Sequence, residues 1–141
     1  FLYEVRIPST NLLGTEEGQG FFQLMAQLPQ ERHQIACLAI AAIERALSLT
    51  IDYVKERHAF GRPIMAFQNT QFKLAECKAK GTMAKVFVDH CTGLLLENKL
   101  DAATASMAKM LLTDLENEII DECLQPVVVY FCEGRNIRIA R

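Results

Sequence analysis

A few side chains in this 141-residue chain combine a reactive type with a telling position. Glu31 and Arg32 follow directly on Pro29-Gln30. A carboxylate can serve as a general base where dry surroundings raise its pKa. It can equally complement the dipole of a first helical turn, and without further context that plainer role is the favoured one. Arg32 suits either contact with an anionic ligand or a surface ion pair with Glu31, which would contribute little. Arg57 carries a guanidinium that can grip a diphosphate bidentately, which a lysine does less well. Phe60 and Gln68 follow it closely. Each alone reads plainly, Phe60 as a core aromatic and Gln68 as a polar helix start.

Other reactive types fall into patterns that exclude chemistry. His33, His58 and His90 lie far apart and lack metal-ligand spacing, so they are expected at the surface or bundle edge, with no metal bound. The five cysteines are irregularly spaced without a C-x-x-C pair, which supports neither zinc nor a disulfide framework; reduced core thiols are expected. Met83, Met107 and Met110 suit helix packing. Lys73, Lys78, Lys80 and Lys85 form a solvated stripe diluted by Glu76. The net charge of −2 offers no basic face for nucleic acid. Half the residues are hydrophobic, enough for one ordinary core and against disorder. Charged residues interrupt every long apolar stretch, so no membrane span is expected. The chain starts at Phe1 without an initiator Met or a leader and reads as a fragment.

The elements that must position these residues follow from periodicity. Phe1, Tyr3, Val5 and Ile7 alternate as a strand would, and a glycine-rich connection follows from Gly14 to Gly20. Phe21, Phe22, Leu24, Met25 and Leu28 form a short helical stripe expected to end at Pro29, which would open the next helix. That helix, to about Arg57, carries Ile35, Leu38, Ala39, Ala42, Ile43, Ala46, Leu47, Ile51 and Val54 at helical spacing. Gly61-Arg62-Pro63 breaks it. A second helix is predicted from about Gln68 to Asn98, with Phe72, Ala75, Ala79, Met83, Val86, Phe87, Cys91 and Leu94 in its pattern. Asp101 is a plausible N-cap for a third helix from about Ala102 to Leu124, which Pro126 stops. The predicted fold is all-α, an antiparallel bundle of three long helices preceded by one orphan β-strand.

The run Tyr53-Val54-Lys55-Glu56-Arg57-His58-Ala59-Phe60-Gly61-Arg62-Pro63-Ile64, then Phe67-Gln68 and Lys73-Leu74-Ala75-Glu76, resembles the carboxy-terminal helical domain of the acyl-CoA dehydrogenases. Leu12-Leu13-Gly14 with Glu17-Gly18-Gln19-Gly20-Phe21 looks like that family's link from β-domain to helical domain. Leu28-Pro29-Gln30-Glu31-Arg32 looks like its long-chain branch. Phe87-Val88-Asp89, Leu100 to Ala105 and Met107-Ala108-Lys109 agree. The resemblance implies a last strand and linker over 1–20, the helical domain over 21–125 and a divergent or truncated tail over 126–141. The family's Gly-Gly turn is replaced after Gln125 by Pro126-Val127-Val128-Val129. Tyr130 to Ile137 faintly resembles its Tyr-Glu-Gly-Thr loop.

The implied reaction is FAD-dependent α,β-dehydrogenation of a long-chain fatty acyl-CoA in β-oxidation. By resemblance, Glu31 is the base that takes the α-proton, with Glu133 the rival from the tail, and Arg32 contacts the acyl-CoA. Arg57, Phe60, Gln68 and Gln125 match residues that hold FAD, Arg57 reaching the diphosphate bound to a neighbouring subunit. The implied partners are an electron-transferring flavoprotein and three further copies in a homotetramer. The implied location is the mitochondrial matrix or a bacterial cytoplasm. A rival reading is a catalytically inactive helical association module or degenerate fragment.

Overall fold

The computed structural model describes residue 1 and residues 3–133, with side chains as far as Val127. Three long helices dominate it: α1 (Gly20–Glu56), α2 (Gln68–Leu96) and α3 (Ala102–Glu133). Between α1 and α2 lies a small hairpin of β1 (His58–Ala59) and β2 (Arg62–Pro63), paired antiparallel with His58 opposite Pro63 and Ala59 opposite Arg62. The hairpin turns at Phe60 and Gly61, both at positive φ (52° and 78°). Gly61 adopts that conformation freely, whereas for Phe60 it is uncommon.

Cross-helix contacts fix the helix directions. His33 meets Thr92, and Glu44 meets Lys85, so α1 and α2 run antiparallel. Lys73 meets Glu122 and Lys80 meets Glu118, so α2 and α3 do too. Arg32 meets Ser106 and Thr50 meets Cys123, which leaves α1 and α3 parallel. The core is the seam between them: Ala36, Ala39, Ile43, Leu47 and Val54 of α1, Leu74, Cys77, Val88 and Cys91 of α2, and Ala108, Leu112, Ile119 and Cys123 of α3. Small residues allow close approach. A Cβ at Gly81 would stand 3.1 Å from Ile43 Cγ2. By length and composition α1 could cross a membrane, with an 18-residue window of mean hydropathy 1.5. Its buried stripe makes it the central helix of the bundle.

The all-α bundle agrees with expectation, but several boundaries do not. The described residues among 1–7 form no strand, because a lone strand has no neighbour to accept its hydrogen bonds. Pro29 does not end a helix; α1 runs through it. The lost bond to the Met25 carbonyl falls in an exposed turn, where water can replace it. Pro126 likewise lies inside α3, with its ring buried, so apolar burial offsets the missing donor. Helix α3 therefore continues past its expected end at about Leu124. The cap prediction holds: Asp101 Oδ1 accepts from the Ala103 and Thr104 amides at 2.8 and 2.9 Å.

The apolar faces also divide differently. On α2 the expected Phe72, Ala75, Ala79, Met83 and Val86 are exposed, and Leu74, Cys77, Ala84 and Val88 are buried instead. On α3, Leu112 is buried whereas its neighbour Leu111 is exposed. Helix α2 is apolar on more than one side, and α1 and α3 cover only the side carrying the more compact residues. Met83, Met107 and Met110 are exposed rather than packed within the bundle. Cys77, Cys91 and Cys123 are buried free thiols, whereas Cys37 is exposed. The expected lysine stripe is solvated, with Lys73, Lys80 and Lys85 each paired to a glutamate.

Candidate functional site

The residues singled out from the sequence fall at opposite ends of the bundle. Arg57 caps the C-terminus of α1, Phe60 occupies the hairpin turn and Gln68 opens α2. The hairpin folds this connection back on itself. The Ile64 amide donates to the Arg57 carbonyl at 2.9 Å, which closes the loop and brings Arg57 and the start of α2 to one corner. All three residues are exposed. Gln125 is exposed on α3 at that same end, beyond the Lys73–Glu122 and Thr50–Cys123 contacts.

Phe60 is not a core residue. Its ring is 73% exposed, which removes the plain packing role that its type alone would suggest. It meets Phe67 edge-on at 6.2 Å between centroids, and the Arg62 guanidinium lies 4.1 Å from the centroid of the Phe67 ring. An exposed aromatic in a sparsely populated backbone region is a feature that structures retain at ligand sites. From Arg57 to Ala75 the sequence contains no acidic residue, with Glu56 and Glu76 flanking the segment directly.

Glu31 and Arg32 occupy the other end, where α1 meets the end of α2 and the start of α3. Glu31 is exposed. Arg32 is half-buried and donates from Nη1 to Ser106 Oγ at 2.9 Å, so it crosses to α3 instead of pairing with Glu31. The Ser106 hydroxyl donates its hydrogen bond to the Ala102 carbonyl, which leaves its oxygen free to accept from Arg32. His33, expected at the surface, is buried, 4% exposed. Its Nε2 lies 3.0 Å from Thr92 Oγ1 and 3.4 Å from Cys37 Sγ, and its Nδ1 is buried without a partner. Burial holds its pKa below the ordinary histidine range, and burial raises the Cys37 thiol. At about 1.5 Å of rise per residue, the Glu31 and Arg57 Cα atoms stand roughly 39 Å apart.

The backbone of Glu133 is the last residue of α3 rather than part of a loop. Its side chain, and the neighbouring tail Gly134 to Ile137, lie outside the described residues. Among the described residues no group of three or more His, Cys, Asp or Glu side chains could hold a metal ion.

Comparison with known proteins decides the lineage. The family described as "Acyl-CoA dehydrogenase, C-terminal domain" matches residues 18–128. The chain belongs to the acyl-CoA dehydrogenase family. It is 45% identical over 125 residues to the long-chain specific acyl-CoA dehydrogenase, mitochondrial, of Rattus norvegicus, covering 89% of this chain and 29% of the rat protein. It is 34% identical over 122 residues to the caffeyl-CoA reductase-Etf complex subunit CarC of Acetobacterium woodii, covering 86% of this chain and 32% of that protein. A crystal structure of acyl-CoA dehydrogenase from Geobacillus kaustophilus superposes with a TM-score of 0.83 at 39% identity, over 89% of this chain and 33% of that one. The chain thus spans about a third or less of the acyl-CoA dehydrogenase relatives it matches.

Several features were not read from sequence. Gly61-Arg62-Pro63 marks only a break by its residue types, although Phe60-Gly61 between short extended pairs is a turn signal. The Arg62–Phe67 stack and the Arg32–Ser106 bond join residues that no local pattern links. The buried setting of His33 depends on where α2 ends.

Proposed function

We propose that this chain is the carboxy-terminal helical part of an FAD-dependent acyl-CoA dehydrogenase that converts long-chain acyl-CoA thioesters to trans-2-enoyl-CoA in β-oxidation. In this reading 21–125 form the helical domain, with 1–20 its link and 126–141 a divergent tail. The carrying observation is the corner formed by Arg57, Phe60 and Gln68. A guanidinium at the end of α1, an exposed ring in the positive-φ turn and a carboxamide at the start of α2 lie along one short folded-back connection. That donor set suits a dinucleotide: Arg57 pairs with the diphosphate, Phe60 packs beside the nucleotide, and Gln68 and Gln125 supply polar contacts. When bound, FAD supplies the hydride acceptor.

Glu31 takes the α-proton in this proposal, and Arg32, steadied by Ser106, binds the acyl-CoA. The rival base, Glu133, would act from the end of α3. The roughly 39 Å between Glu31 and Arg57 exceeds what one dinucleotide spans. The two ends of the chain therefore serve different active sites, which supports a homo-oligomer, proposed as a tetramer, whose copies complete one another. Exposed apolar residues on all three helices, among them Leu38, Phe72, Met83, Val86 and Met110, support helix faces covered by further protein. Glu31 is exposed here, and the dry surroundings that a general base needs would come from that surrounding protein.

Electron-transferring flavoprotein is the proposed electron acceptor, supported by the likeness to a subunit of an Etf complex. The mitochondrial and bacterial relatives support the mitochondrial matrix or a bacterial cytoplasm. The test is Glu31→Gln in the complete enzyme. Flavin should be retained and acyl-CoA should still perturb its spectrum, while reduction falls about a thousandfold or more, because the amide cannot accept the proton. An active Glu31→Gln enzyme with an inactive Glu133→Gln enzyme would transfer the base to the tail. Flavin-free protein with both glutamates intact would support the inactive helical module instead.

A further inference from the structure

We infer that Arg62 is a second guanidinium for the dinucleotide diphosphate, held in position by its stack on Phe67. The inference rests on the FAD reading of the Arg57–Phe60–Gln68 corner and extends it to a residue outside that set. The hairpin register determines where Arg62 emerges. Phe60 and Gly61 reverse the chain, Arg62 pairs with Ala59, and the next turn brings Phe67 beneath it. The guanidinium lies 4.1 Å from the Phe67 centroid, and Phe67 in turn meets Phe60 edge-on at 6.2 Å. Arg62 over Phe67 and Phe60 edge-on to Phe67 therefore form one contiguous cluster, so a nucleotide resting beside Phe60 is close to Arg62.

A stacked guanidinium uses its face against the ring and keeps its N–H donors around the rim. Those donors can meet phosphate oxygens without leaving the stack, and the stack lowers the ordering cost that a free arginine would incur on binding. Arg62 is exposed, so ligand can reach it. Arg62 makes no salt bridge with any carboxylate among the described residues, and its own segment, Arg57 to Ala75, carries none. Arg57 and Arg62 flank the turn on either side, tied together by the bond from the Ile64 amide to the Arg57 carbonyl. Two cations spaced across a turn match the two charges of a diphosphate better than either alone.

The competing explanation is that Arg62 only shields the Phe67 ring. Arg62→Met keeps an unbranched stem over Phe67 and removes the charge; Arg62→Lys keeps the charge and loses the planar fork. In the complete enzyme, FAD affinity is read by reconstitution of apoprotein. ADP, which carries a diphosphate but no flavin ring, is titrated by calorimetry at low and high salt. Arg62→Met should weaken both ligands on the order of tenfold or more, with the loss shrinking at high salt. Arg62→Lys should recover part of it, and Phe67→Leu, which keeps the charge but removes the stack, should fall between. Wild-type affinity in Arg62→Met, alongside flavin loss in Arg57→Ala, would overturn the role of Arg62 and leave the site reading intact. Full flavin retention in both Arg62→Met and Arg57→Ala would overturn the site reading together with this inference.

Discussion

Replacing His33 by leucine should stabilise the chain and remove part of its acid sensitivity. His33 is buried with Nδ1 unpartnered, and such an orphan costs on the order of 1–3 kcal/mol. Its one firm bond, to Thr92, contributes about 1 kcal/mol. Thr92 is not orphaned by the change, because its hydroxyl also donates to the Val88 carbonyl at 2.9 Å. Leucine has similar bulk and no polar atom, so the balance favours His33→Leu by about 1 kcal/mol. The pH dependence has a definite sign. Burial depresses the folded-state pKa below the unfolded value of about 6.5, so the unfolded chain takes up a proton that the folded chain resists. Stability from this group is complete above about pH 6.5 and falls as pH drops through the window below it. The slope is at most about 1.4 kcal/mol per pH unit, until the depressed folded pKa is passed. Urea unfolding followed by far-ultraviolet circular dichroism, at pH 7.5 and 5.5 and one protein concentration, measures both effects. His58 and His90 are common to both proteins, so the comparison isolates His33. A variant less stable than wild type by more than about 1 kcal/mol at pH 7.5 would refute the orphan-atom reasoning. An unchanged pH 7.5-to-5.5 difference would refute the linkage.

Three further outcomes are expected. Asp101→Ala should fray the first turn of α3 and lower the midpoint of thermal unfolding, while Asp101→Asn keeps most of the cap; equal losses would mean that charge, not capping, matters. Hydrogen bonds from the Thr104 amide and hydroxyl hold the Asp101 carboxyl below its ordinary range, so this contribution is present at neutral pH and fades as acid protonates it. Gly81→Ala should change stability little, since a helix-propensity gain of about 1 kcal/mol meets a strain of similar size against Ile43. Gly81→Leu should cost about 1–3 kcal/mol or more in the same urea assay, and a neutral result would show that α1 and α2 can separate freely. Arg57→Ala in the complete enzyme should lower flavin content with unchanged helicity, and Arg57→Lys should restore only part of it; wild-type flavin content would remove Arg57 from the site.

The sequence by itself determined the helices, the α3 cap and the family, because each is written in local or fixed-spacing patterns. Apolar recurrence at three and four residues marks α1, α2 and α3, and Asp101 meets its own first turn. The spacing from Arg57 through Phe60 to Gln68 is local enough to be read directly. Tertiary structure decided what local patterns leave open. Pro29 and Pro126 look like stops, yet a helix continues where water or burial replaces the missing donor. Helix α2 is apolar on several sides, and only contact with α1 and α3 selected Leu74, Cys77, Ala84 and Val88 for the core. His33 lies inside because Thr92 faces it from another helix. Arg32 leaves its neighbour Glu31 for Ser106, and Arg62 stacks on Phe67, for the same physical reason. Where a polar side chain finds its partner depends on how the helices and the connecting hairpin pack.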